Sequence, residues 1–305
     1  MDWKNKIAVA NTGGNSISFI EPRLNIEEWR IQLDSGVGPC DLLKPRCTSS
    51  LLITQIYDNS LVCLNLDKGL VEKVLLAGCH PKFMAVCNIT HNICVSNADS
   101  DSISIVGNKD NLRLVSQIPA GSMPQGIDCH PQLPVLAVAN MNSQDVWFID
   151  TRELTTIYMK RIDGYPTQVR FSRKGDILYV GCYLYNGCSR SKIIMLALDG
   201  YRVCGEIPIG CVPFQIVETG DGKHLLVISL ASERIEVVNL VLGRVMGSIE
   251  IDGMAYSIAL DGNEECAYVT NTKKGTVAVV DWRRGKKITD IRVDKEPSGI
   301  VYLYE

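Results

Sequence analysis

Residues Glu265 to Asp281 read ECAYVTNTKKGTVAVVD. Ala267–Asn271 is a short run of apolar and strand-favouring residues. Thr272–Gly275 has the composition of a tight turn, and Thr276–Val280 alternates apolar positions. The stretch therefore predicts a β-hairpin. Related strings recur along the chain: LLITQ ends at Gln55, ICVSN at Asn97, LAVAN at Asn140, LYVGC at Cys182 and LLVIS at Ser229.

A second landmark precedes each of these strings at a constant offset. The anchors are Pro39, Pro81, Pro124, Pro166, Pro213, Ala255 and Pro297, with the longest interval between Pro166 and Pro213. Each copy carries four strand signals. In the copy beginning at Pro124 they are Gln125–Cys129, Val135–Asn140, Asp145–Asp150 and Thr156–Ile162. Four short strands in about 42 residues is the period of a β-propeller blade, not of a helical solenoid. No segment holds a helical period for more than two turns.

The ends of the sequence complete the count. Lys6–Asn11 reads as a second strand with no first strand before it, and Pro297–Tyr304 as a first strand with no second after it. Together they make one blade. The expected fold is all-β, a single seven-bladed β-propeller of 305 residues whose C-terminal strand joins the N-terminal blade. Such closure removes open sheet edges.

Composition narrows the function classes. A net charge of −3 with no broad basic run speaks against nucleic acid. The one basic cluster, Arg283 to Lys287, falls at a strand-to-strand turn. No apolar run reaches the ~20 residues that span a bilayer. The N-terminal MDWKNKIAVAN lacks the apolar core of an export signal. Twelve cysteines without a CxxC pair, several of them inside apolar strands, fit a reducing compartment, so a cytoplasmic monomer without a cofactor is expected.

The order P-x-G-I, then YVTN, then TVAVVD resembles the YVTN-repeat family of seven-bladed, lactonase-like propellers. Tyr268-Val-Thr-Asn271 matches its signature, and Ala8-Val-Ala-Asn11, Cys94-Val-Ser-Asn97 and Ala137-Val-Ala-Asn140 are near matches. The resemblance spans nearly the whole chain. Cys182 and Ser229 depart from it, and extra residues stand at Tyr183–Ser191. Because these motifs are structural, the resemblance implies a fold and leaves function open. Family members include surface-layer modules, periplasmic binding proteins, propeller subunits of redox enzymes and relatives of lactone hydrolases.

In a four-stranded meander, the loops between second and third strands share a face with the starts of the inner strands, which ring the channel mouth. The side chains there are soft and partly aromatic: Cys79, His80, Met123, Tyr165, Cys211, Phe214, Met254 and Tyr256, with Tyr183 and Tyr185 on the long loop. Three readings follow. The first is a binding or scaffold protein that takes a peptide, protein or small ligand at this mouth, gated by Tyr183–Ser191. The second is a hydrolase or lyase using His80 with Glu296 or Asp41. The third is a soft-metal or thiol redox protein using Cys79, His80 and Cys211, with Cys182 and Cys188 as surface-loop thiols.

His91, His130 and His224 are expected as solvated loop residues on the opposite face, and Asp101, Asp145 and Glu233 as turn caps at the heads of third strands. The channel positions where a propeller lactonase carries polar groups are expected to be mostly Leu, Met, Val and Ile, which speaks against that mechanism.

Overall fold

The computed structural model describes residues 2–107, 112–184, 191–210 and 212–304. Among them the chain forms twenty-eight strands, β1 to β28 in chain order. They make seven four-stranded antiparallel sheets, so the chain is a seven-bladed β-propeller. Helix is confined to short 3₁₀ turns such as Asp199–Tyr201 and Leu230–Ser232. The quoted hairpin forms β25 (Ala267–Asn271) and β26 (Thr276–Asp281), paired in unbroken register from Ala267↔Val280 to Asn271↔Thr276. Its turn is closed by Gly275 at φ 66°, with the Gly275 N–H donating to Asn271 O.

β1 (Ile7–Asn11) pairs on one side with β2 (Ser16–Glu21) and on the other with β28 (Pro297–Tyr302). The last strand is thus the inner strand of the first sheet, and the expected closure is present. Second strands are buried on both faces, which is why they read as unbroken apolar runs; β1 and β13 (Val135–Asn140) are buried throughout. Fourth strands are largely exposed, and β3 (Ile26–Gln32) alternates with one face in solvent.

The chain divides into two compact units. One holds Met1–Leu76, Glu233–Ile235 and Gly247–Glu305, and the other holds Ala77–Ser232 and Glu236–Met246. Each has its own sheet-on-sheet core. In the first, Ile17, Phe19, Leu51, Ile53 and Leu64 pack together, and Val9, Val277, Val279 and Ile300 form a neighbouring cluster. In the second, Ala137, Phe148, Leu178 and Val180 make one cluster, and Ile193, Ile216, Leu225 and Val227 another.

The conserved spacing of the repeat has a geometric cause. Just after each anchor the pairing of first and second strands slips. It runs from Pro39 to Leu42, Pro81 to Met84, Pro124 to Ile127 and Ala255 to Ile258 in the partner register. These bulges take two residues out of the ladder. A second-strand hydroxyl then accepts the freed N–H: Thr54 from Asp41 (2.9 Å), Ser96 from Phe83 (3.1 Å) and Thr270 from Ser257 (2.9 Å).

Where the freed residue is glycine, the neighbouring inner strand comes too close for a side chain. A Cβ on Gly126 would lie 1.8 Å from Gln168 Oε1, and one on Gly299 would lie 2.5 Å from Cys40 O. The G of P-x-G-I marks that approach. The asparagine of two near-match strings ties strands two and three: Asn11 Nδ2 donates to Ser16 and Ser18, and Asn97 Nδ2 to Ser102 and Ser104, whereas Asn271 Nδ2 donates to Asp252 O.

Candidate functional site

The residue after each anchor leaves its ladder at the bulge. In order these are Cys40, Lys82, Gln125, Thr167, Phe214, Tyr256 and Ser298. This corrects the expectation that the channel-facing register is Leu, Met, Val and Ile. Leu42, Val169, Ile216 and Ile300 belong instead to the buried clusters between sheets. The slip at the bulge turns them into the core and frees a mostly polar set.

In the second unit this register builds a compact group. Lys82 stands on β8 (Pro81–Val86), Gln125 on β12 (Pro124–Cys129) and Phe214 on β20 (Pro213–Glu218). The Lys82 ammonium lies 5.7 Å from the Phe83 ring centroid and 5.5 Å from that of Phe214. The two rings are 5.8 Å apart and tilted by 58°. Each ring face attracts the cation by about 0.5–2 kcal/mol. Lys82 Nζ also donates to Gln125 Oε1 at 2.5 Å. That contact orients the amide, and its Nε2 is buried without a hydrogen-bond partner, which costs about 1–3 kcal/mol.

The same register in the first unit is self-satisfied. Cys40 Sγ and Tyr256 Oη lie 3.3 Å apart, and burial pushes the Tyr256 phenol well above its usual range. Ser298 Oγ donates to the carbonyls of Pro39 (3.2 Å) and Cys40 (3.0 Å) and accepts from Thr12 Oγ1 (2.8 Å). These hydroxyls lock inner strands to one another.

Of the sequence candidates in the second unit, several meet. Tyr165 and Tyr183 stack at 5.2 Å, and Tyr183 Oη donates to Met141 Sδ at 3.9 Å. Met123 O accepts from the Met141 N–H. His80 Nδ1 lies 3.4 Å from Asp99 Oδ2. Cys79 is exposed and its backbone N–H donates to Ser100 Oγ. His80 and Met123 have φ of 55° and 57°, a left-handed backbone immediately before proline, and Glu296 in the first unit shares it at 53°. Such conformations cost of order 1–3 kcal/mol and cluster where chains bind or act. Met254 is exposed. Tyr185, Cys188 and Cys211, with most of the Tyr183–Ser191 loop, lie outside the described residues.

Three expectations are corrected. Cys182 is no surface-loop thiol: it is the last residue but one of β17 (Ile177–Tyr183), is fully buried, and burial pushes it up to about 12. His130 is not solvated. It is 4% exposed, its Nδ1 accepts from the Gln132 and Leu133 N–H groups, and its Nε2 donates to Gly175 O at 2.9 Å. His224 opens β21 (His224–Ser229) rather than lying in the loop, with its Nε2 3.3 Å from the Asn239 amide and its Nδ1 3.4 Å from Asp221 of the preceding turn. Asp101 and Asp145 do act in turns: Asp101 accepts from the Met123 N–H (2.7 Å), and Asp145 from Asn140 and Ser143. Among the described residues no group of three His, Cys, Asp or Glu is placed to hold a metal ion.

Sequence reasoning passed over Lys82 and Gln125. The signal was present, because the residue after each anchor is polar more often than an inner strand leads one to expect. Its meaning depends on the register slip.

No protein-family model matches the chain, and no curated protein matches it. Solved structures do. A functionally unknown protein from Desulfotomaculum acetoxidans is 15% identical over 99% of both chains, with a TM-score of 0.86. Kuenenia stuttgartiensis hydrazine synthase is 18% identical over 88% of this chain and 91% of that chain, with a TM-score of 0.80. A chain of the mitotic checkpoint complex is 10% identical over 89% of this chain and 83% of its own, with a TM-score of 0.75. At these identities the likeness is one of fold.

Proposed function

We propose that the chain is a binding or scaffold propeller of the YVTN-repeat type. On this reading it recognises a carboxylate of a peptide, protein or small ligand at the Lys82 group of the second unit. The observation that carries the reading is the Lys82 ammonium lying over the Phe83 and Phe214 rings, beside a Gln125 amide whose buried Nε2 has no partner. A carboxylate is the acceptor that suits both an ammonium and an amide N–H. The aromatic walls suit the apolar part of the same ligand. Tyr165, Tyr183 and Met123 extend the surface toward the long loop.

The free thiols of the described cysteines support a reducing, cytoplasmic setting, and no helix of the described residues is long and apolar enough to cross a membrane. The reading takes the protein as a monomeric single domain without nucleic-acid partners or a cofactor. The fold neighbours include both an enzyme and a chain of a protein assembly, so fold does not choose between classes. The alternative, a hydrolase or lyase, takes His80 with Glu296 or Asp41; within the second unit the carboxylate beside His80 is that of Asp99.

The test is thermal shift with a panel of short peptides, each with a free or an amidated C-terminus, and of dicarboxylates such as succinate. Selective binding raises Tm by mass action. The free-acid forms are expected to raise Tm, and Lys82→Met is expected to remove the shift while His80→Ala leaves it. Equal shifts for acid and amide, or a shift that survives Lys82→Met, would sink the carboxylate reading.

A further inference from the structure

Away from the Lys82 group, the second unit buries three cysteines against one another. Cys87 directly follows β8, Cys94 lies in β9 (Ile93–Asn97) and Cys129 ends β12. Cys87 and Cys94 are fully buried, Cys129 is 8% exposed, and all three are free thiols. The neighbouring inner strands bring them into contact: the Cys129 thiol hydrogen-bonds to the sulfurs of Cys87 and Cys94. Cys87 and Cys129 stand at the strand ends remote from Lys82 and Gln125.

Polar contacts set Cys87 apart from a thiol that only fills space. Its Sγ lies 3.2 Å from Thr151 Oγ1 and accepts the Thr90 N–H at 3.5 Å. With the Cys129 S–H, three donors converge on one sulfur, and donors stabilise the thiolate. The Cys129 contact does most to hold Cys87 below the usual thiol range, and Thr151 and Thr90 act with it against burial. Cys129 moves the other way, raised by its contacts with Cys87 and Cys94 and by burial, so it keeps its proton. A thiolate touching a protonated thiol is the arrangement of an attacking and a resolving sulfur. The turn over residues 88–92 lies against Cys87, held by the His91 N–H to Cys87 O (2.8 Å), and carries the exposed Asn88 and His91 outward. One layer of chain therefore covers the sulfur, which suits a small reactant and keeps bulky disulfides off.

We propose that Cys87 and Cys129 form a dithiol that reacts with a small hydroperoxide, Cys87 as the attacking and Cys129 as the resolving sulfur. The Cys87 thiolate attacks one peroxide oxygen. An S–O bond forms, the O–O bond breaks, and the hydroxide released takes a proton from solvent to become water. Cys129 sulfur then attacks the Cys87 sulfenic acid. The S–S bond forms, the S–O bond breaks, and the departing hydroxide leaves with the Cys129 proton as a second water. Two electrons pass from the two sulfurs to the peroxide. The new bond ties the end of β8 to the end of β12, the strands that carry Lys82 and Gln125 at their starts.

The site is independent of the proposed Lys82 function, and Lys82→Met is expected to leave its chemistry unchanged. The full chain, reduced and freed of reductant without oxygen, is mixed with equimolar hydrogen peroxide. The reaction is stopped with catalase, the protein denatured with iodoacetamide and dimedone, and the peptides mapped by mass. The wild type is expected to yield linked Cys87 and Cys129 peptides before the exposed Cys47, Cys79 and Cys204 are modified. Cys129→Ser, which keeps a donor beside Cys87, is expected to accumulate sulfenic acid at Cys87, seen as its dimedone adduct. Thr151→Val is expected to slow the loss of free Cys87 by about fivefold or more. Wild type unfolded in urea is expected to lose the preference for Cys87, a readout that needs no variant. Earlier reaction of the exposed thiols, a link through Cys94 in place of the named pair, an unchanged rate in Thr151→Val, or equal selectivity in urea and buffer would each overturn the assignment.

Discussion

His130 shows how a single residue departs from what its position in the sequence suggests. It lies in a polar loop, yet its ring is sealed in by backbone contacts, with Phe171 edge-on at 5.1 Å. Burial lowers its pKa, against the opposing pull of the Gly175 carbonyl and the Asp128 charge. The Nδ1 that accepts two N–H groups loses that role when protonated. The folded chain therefore binds this proton less readily than the unfolded one. Its contribution to stability is complete above the unfolded value near 6.5 and is lost as pH falls from there toward the lowered folded value. Urea unfolding of the wild type is expected to lose up to about 1.4 kcal/mol per pH unit in that window relative to His130→Ala. Parallel curves for the two proteins would refute it. Asp128, half-buried and 3.7 Å from Arg170, works in the opposite sense, because burial raises its carboxyl and the folded chain protonates it first. Comparison with the His130 variant isolates the histidine from that background.

At the scale of the strand, the repeat motif is a device for managing a bulge. Thr270, the T of YVTN, accepts from the Ser257 N–H at 2.9 Å and donates to Ser298 O at 2.7 Å, so one hydroxyl closes a break in its own blade and joins the next inner strand. Thr270→Val keeps the shape and leaves the Ser257 N–H buried without a partner. It is expected to cost about 1–3 kcal/mol, whereas Thr270→Ser is expected to cost less than half as much. Denaturant midpoints at constant m would show this, and equal losses for both variants would mean that packing, not the hydrogen bond, is what Thr270 supplies. The same bulge explains why the strands themselves were legible and the candidate site was not. Hairpins such as Ala267–Asp281 follow from alternation and turn residues. The exit of Lys82 and Gln125 from the ladder follows from a one-residue register slip that no periodicity announces.

For the whole molecule, the decisive contact joins the two ends of the sequence. Ile7, Ala8 and Val9 pair with Tyr302, Val301 and Ile300, and Leu303 is fully buried behind them. Deletion of residues 297–305 leaves the β1 edge unpaired and uncovers Val9 and Ile7. It is expected to lower the midpoint of unfolding sharply, to separate the far-UV CD and tryptophan fluorescence transitions, and to promote association in gel filtration. On the proposed single-domain reading, the intact chain is expected to show coincident transitions by both probes. Two separated transitions in the intact protein would show that the two compact units unfold independently.

Sequence alone was enough for the number of blades, the four strands in each and the closure of the first sheet by the last strand. These rest on period and alternation, which are local and repeated, so each copy corroborates the others. Tertiary structure decided the rest. It buried Cys182 and His130, paired Lys82 with Gln125 beside two phenyl rings, and lined a cavity with tyrosines distant in the chain. Such features depend on which strands become neighbours and where their registers slip. Those are properties of the assembled sheets, and no single repeat contains them.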